Sequence, residues 1–149
     1  MWSQPFFRSL LVLPELLLIP LFLAAQSPEE KLMAVYGKER LQKMKENDAG
    51  VYDYLLYKVE HSYKLIDARP GKSYEEGGKF PYYAKKREEK RSISAEKVLQ
   101  KVKDGSFNPL KFQLERRKSS NSLYELKGTG KVLVLLSEER VAEKYNKAP

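Results

Sequence analysis

Residues 132–136, Val-Leu-Val-Leu-Leu, run without a polar interruption between a Gly128-Thr129-Gly130 turn and Ser137. The run is too short for a useful helix and carries no polar face. It predicts a strand buried on both sides, the central strand of a small sheet. A helix start follows it. Ser137 is placed as the cap, and Glu138 and Glu139 occupy the first turn, where negative charge offsets the helix dipole. Leu136 and Val141 stand at the two positions of a hydrophobic staple, which fixes the angle between strand and helix.

Upstream, Pro28-Glu29-Glu30 opens a first helix with Ser27 as its N-cap. Met33, Tyr36, Leu41 and Met44 recur at helical spacing until Asn47-Asp48-Ala49-Gly50 stops it. Val51, Tyr52, Leu55, Leu56, Val59 and Tyr63 make a second stripe, so residues 51–61 predict a second helix, antiparallel to the first. Residues 63–67 turn toward β character and offer a further strand. Residues 68–92 are punctuated by Gly71, Gly77, Gly78 and Pro81, and read as a flexible loop pinned in part by Tyr74, Phe80, Tyr82 and Tyr83, with a solvated basic tip.

Ser94 is placed to cap a short helix over 95–104, ended by Gly105. Leu110, Phe112 and Leu114 then alternate with Lys111, Gln113 and Glu115, the clearest period-two pattern in the chain. With a second strand over 122–127 and the central strand, they predict an antiparallel meander. The expected fold is therefore α+β. An N-terminal helical hairpin packs on a small, mainly antiparallel sheet, a C-terminal helix follows, and one domain spans residues 26–149.

Residues 1–25 have the plan of a secretory signal. Arg8 supplies the positive end, residues 16–23 the apolar stretch, and Pro20 precedes the small pair Ala24-Ala25, so cleavage is expected to leave Gln26 first. The other reading is an uncleaved anchor, but residues 9–25 are broken by Pro14-Glu15 and fall short of the ~20 apolar residues a span needs. The expected location is periplasmic or secreted, with an N-terminal membrane anchor as the alternative and no stable span once the signal is removed. Cysteine is absent, so no disulfide staples the fold and no lipid-modified cysteine can hold it. The net charge of +8 survives removal of residues 1–25, because Arg8 and Glu15 cancel. It favours loose attraction to anionic surfaces.

Chemistry is sparsely provided. His61 is the only histidine, so with no cysteine the usual zinc, copper and haem sites have no ligands, and no cofactor is expected. Gly128-Thr129-Gly130-Lys131 fails as a phosphate loop, because Glu125 stands where the first glycine belongs and a strand follows. Glu75-Glu76 falls in the loop, a poor place to fix a general acid and base. The run 85–91 carries Lys85, Lys86, Arg87, Lys90 and Arg91, diluted by two glutamates, and export would take it away from nucleic acid. Tyr54 and Tyr57 fall on the far side of their helix from Leu55 and Val59. They read as an exposed aromatic strip or as rings packed beneath the 68–92 loop.

Tyr52-Asp53-Tyr54-Leu55-Leu56, His61-Ser62-Tyr63-Lys64-Leu65-Ile66-Asp67 and the segment 130–139 resemble small exported proteins of Gram-negative bacteria whose activity is uncharacterised. The resemblance implies export and a shared α+β fold, and no catalytic residue. Two function classes follow. The chain is expected to be a non-catalytic envelope or secreted protein that binds a protein or an anionic envelope component through Tyr54, Tyr57, Lys85, Lys86, Arg87, Lys90 and Arg91. The alternative is a small hydrolase using carboxylates around His61.

Overall fold

The computed structural model describes residues 25–83, 89–112, 114 and 116–148. The expected signal, apart from Ala25, lies outside them. Three helices come first: α1 (Pro28–Tyr36), α2 (Lys38–Asn47) and α3 (Ala49–His61). The strands β1 (Tyr63–Asp67), β2 (Glu75–Glu76), β3 (Lys79–Tyr83) and β4 (Lys90–Ser94) follow, then α4 (Ala95–Lys103), β5 (Ser122–Leu126), β6 (Lys131–Leu135) and α5 (Glu138–Lys147). The fold is α+β, as expected. One sheet has the order β1-β6-β5-β2 and the other is the β3–β4 hairpin; every pairing is antiparallel except β2 with β5.

The apolar run is the central strand. β6 pairs with β1 on one side and β5 on the other, and Val132, Leu133, Val134 and Leu135 are each no more than 2% exposed. Alternation along it then divides the core. Leu133 and Leu135 face a cluster with Phe80, Val98, Phe107, Tyr124 and Leu126, which α4 and the hairpin cover. Val132 and Val134 face the opposite way, with Leu136 and Val141, and α5 covers them. Ser137 caps α5 by accepting from the Arg140 N–H at 3.3 Å. Both halves of the staple are buried.

The first helical arm is broken. Gly37 sits at φ 79°, ψ 158°, a conformation essentially reserved for glycine, and ends α1 by donating to the Met33 carbonyl at 2.9 Å. The bend lets Leu32 and Leu41 both reach Tyr52 and Val59 of α3 in a separate small core. Asp48 caps α3 through the Val51 N–H. Lys31, 3% exposed, is the unusual member of this region. Burial pushes its amine down, while Glu60 and Asp104 pull it back up.

Two expectations fail. The 68–92 segment is not simply a loop, because it holds β2, β3 and the start of β4. Phe80 is 1% exposed and anchors the hairpin in the main core. Gly77 passes so close to β5 that a Cβ there would meet the Glu125 carbonyl oxygen at 2.5 Å. The alternating 110–114 segment, in turn, forms no regular strand at its described residues. Asn108 accepts from the Leu110 N–H at 3.1 Å, and its carbonyl accepts from the Lys111 N–H at 3.1 Å, winding the chain into a turn. Leu110 goes to the helical core, Phe112 and Leu114 to the sheet core, and Phe112 makes an isolated bridge to a strand residue, Tyr82. Its alternation serves two cores and not one sheet face. Among the described residues no helix is long and apolar enough to cross a membrane.

Candidate functional site

The hairpin, α4 and the 106–112 turn converge on one small pocket. In the hairpin register Phe80 lies opposite Ile93 and Tyr82 opposite Arg91, so these four share a face. α4 brings Lys101 to that face. The turn is held beneath α4 by the Phe107 N–H, which donates to the Lys101 carbonyl at 2.9 Å, and beside β3 by the Tyr83 N–H, which donates to the Lys111 carbonyl at 3.0 Å. It therefore presents Lys111 and Phe112. The Phe112 ring stacks on Phe107 at 4.9 Å and leans toward Tyr82 at 5.9 Å. The pocket measures about 160 Å³, with Tyr82, Ile93 and Phe112 as apolar wall and Lys101 and Lys111 as its charged lining.

No carboxylate is among the described lining residues. Burial lowers the Lys111 amine, and the positive charge of Lys101 lowers it further. Two acids lie outside that lining, and one of them, Asp104, interacts with the charge of Lys101. Asp104 accepts from the Ser106 N–H at 2.8 Å and is held below the usual carboxylate range by its bonds to Ser106. Glu89 binds Arg91 at 2.6 Å. Two ammonium groups thus share a half-enclosed space with no carboxylate among its described lining residues, although Asp104 answers Lys101 from outside it. Such a space attracts an oxyanion, and the rings beside it favour an apolar body behind that charge.

His61 ends α3 and lies in a different place, an open groove of about 790 Å³ between the start of α1, α3 and the end of α5. Its side chain is 54% exposed, its ring lies 4.4 Å from that of Tyr57, and Glu60 approaches it at 4.0 Å. Asp53 and Glu29 line the same groove, but Glu29 is engaged by the Tyr52 hydroxyl at 3.0 Å and Lys45 at 3.9 Å. Among the described residues no three His, Cys, Asp or Glu side chains are set to hold a metal ion.

Tyr54 and Tyr57 do not form an exposed strip. Both are half-buried and pack on the Val132–Val134 face, with the Tyr145 ring of α5 at 5.3 and 5.5 Å. The expected rings lie under α5, joined by Tyr74 from the 68–92 segment. Lys85, Lys86 and Arg87 lie outside the described residues. Lys90 and Arg91 are exposed on β4, and the pleat separates them: Arg91 shares the pocket face with Tyr82, while Lys90 points the other way. Lys101, Lys111 and Tyr82 escaped sequence reasoning. Lys111 looked like the polar half of a strand, and only the turn turns it inward.

No family model matches the chain, and neither does any curated protein or any solved structure.

Proposed function

We propose that this chain is an exported, non-catalytic binding protein, which holds an anionic partner on the face built from the hairpin, α4 and the 106–112 turn. The observation that carries this reading is the pairing of Lys101 with Lys111 in a pocket with no carboxylate among its described lining residues. Arg91 beside it and the net charge of +8 add the longer-range attraction. The signal-like segment and the resemblance to small exported proteins of Gram-negative bacteria support an envelope or extracellular setting. His61, half-exposed with one carboxylate at 4.0 Å, lends less support to hydrolysis.

Fluorescence anisotropy with labelled polyglutamate tests the binding reading. Binding is expected at low salt, with a clear loss as the screening length falls toward ~8 Å near physiological ionic strength. Replacing Lys90, Arg91, Lys101 and Lys111 together by serine should abolish it. Equal binding by parent and quadruple variant, or none by either, contradicts the proposal. Mass spectrometry of the exported fraction tests the location: a chain beginning at Gln26 is expected, and an intact Met1 there contradicts it.

A further inference from the structure

We infer that the pocket between the hairpin and α4 takes a single carboxylate carried on one flat apolar ring. This rests on the reading of that face as an anion-binding surface and names the group bound there. Size sets the first limit. At about 160 Å³ the pocket matches the roughly 150 Å³ that accommodates one benzene ring. An inorganic oxyanion alone would leave the Tyr82, Ile93 and Phe112 wall without a partner, whereas a ring fills it and meets Tyr82 and Phe112 in the tilted geometry they already adopt.

Charge sets the second limit. Burial and the charge of Lys101 both lower the Lys111 amine, and a carboxylate placed between the two lysines offsets that repulsion. Ammonium groups are point charges with several rotatable donors, so they accept one carboxylate without the fork geometry that arginine imposes. Arg91, exposed and tied to Glu89 at 2.6 Å, is not needed for this. Ser106 and Asn108 also line the pocket, but their polar groups are used. Ser106 binds Asp104, and the Asn108 amide donates to the Lys31 carbonyl at 2.7 Å and accepts from Leu110. Recognition therefore falls to the two lysines and the rings, with Gln26 as the remaining polar lining residue.

The ligand is either a free aromatic acid or the terminal residue of a peptide ending in phenylalanine, and both present the same group. Titration of the isotopically labelled chain with benzoate, followed by NMR, should move the resonances of residues 106–112. Benzyl alcohol, which keeps the ring and lacks the charge, and acetate, which keeps the charge and lacks the ring, should each bind at least about tenfold more weakly. Lys101→Met and Lys111→Met should each weaken benzoate by about tenfold or more, while Lys64→Met on β1 leaves it unchanged. Lys101 is exposed, so its variant will fold even if the Lys111 variant does not. A peptide with a free C-terminal phenylalanine binding more tightly than benzoate, and failing when amidated, assigns the peptide source; benzoate alone binding assigns the free acid. No shift with benzoate, or equal shifts in the Lys101→Met protein, overturns the inference. Should polyglutamate still bind while benzoate does not, the pocket assignment falls and the wider anionic face stands.

Discussion

Lys58 donates to both carboxylate oxygens of Glu138, at 2.9 and 2.8 Å, across eighty positions of chain. The bond ties α3 to the first turn of α5 over the sheet face that carries Val132 and Val134. Arg116 joins the same carboxylate at 3.5 Å and donates to the buried hydroxyl of Ser62 at 3.0 Å. Glu138 thus answers two cations, one of them with a side chain only 12% exposed.

That arrangement predicts an asymmetry. Lys58→Met removes one partner and leaves Glu138 bound to Arg116. Glu138→Gln leaves Lys58 and Arg116 facing each other without a counter-charge. Denaturant unfolding should show a loss of ~1 kcal/mol for Lys58→Met and about twice that for Glu138→Gln. Equal losses would mean that Arg116 does not depend on Glu138.

Gly37 and Gly50 should respond oppositely to alanine. Neither has an atom within 4 Å of the added Cβ, so backbone conformation alone decides. Gly37→Ala forces a side chain into φ 79° and should cost ~1–3 kcal/mol, loosening Leu32 and Leu41 from α3. Gly50→Ala, inside α3, should stabilise by roughly 0.5–1 kcal/mol. Thermal melting of both variants checks the pair; a destabilised Gly50→Ala would contradict the account.

How far the sequence led depended on whether the deciding residues are neighbours in the chain. The β6 run, the Ser137 cap and the Leu136–Val141 staple were legible because a strand buried on both faces reads as an unbroken apolar run, and its cap and staple follow within a few residues. Residues 110–114 were not, since Leu110 and Phe112 share a parity yet enter different cores, and the Asn108 side chain that decides this bonds to Lys31, seventy-seven positions away. The candidate site was least legible. Lys101, Lys111 and Tyr82 come from three separate segments, and nothing local to any of them signals the others. Of the described residues expected to bind, only Arg91 shares the pocket face.

Alkaline pH supplies another test. Tyr52, Tyr54 and Tyr63 are all held above the tyrosine value of 10.0, in each case chiefly by burial of the ring, with Glu29 adding to Tyr52. Because the folded chain keeps these protons longer than the unfolded one, their contribution is complete below pH 10 and is lost as pH rises through the folded values. Melting temperature should therefore fall above about pH 10, and less steeply in a Tyr52→Phe, Tyr54→Phe, Tyr63→Phe triple variant. The same slope in both proteins would contradict the assignment.

The central claim is that Lys101 and Lys111 share one pocket with no carboxylate among its described lining residues. NMR titration of the Lys111 side-chain amine tests it most directly. The predicted result is a Lys111 amine that loses its proton before the exposed lysines do, moves back toward the ordinary lysine value in Lys101→Met, and rises when benzoate is added. A Lys111 that titrates with the exposed lysines and ignores both the Lys101 substitution and benzoate would contradict it.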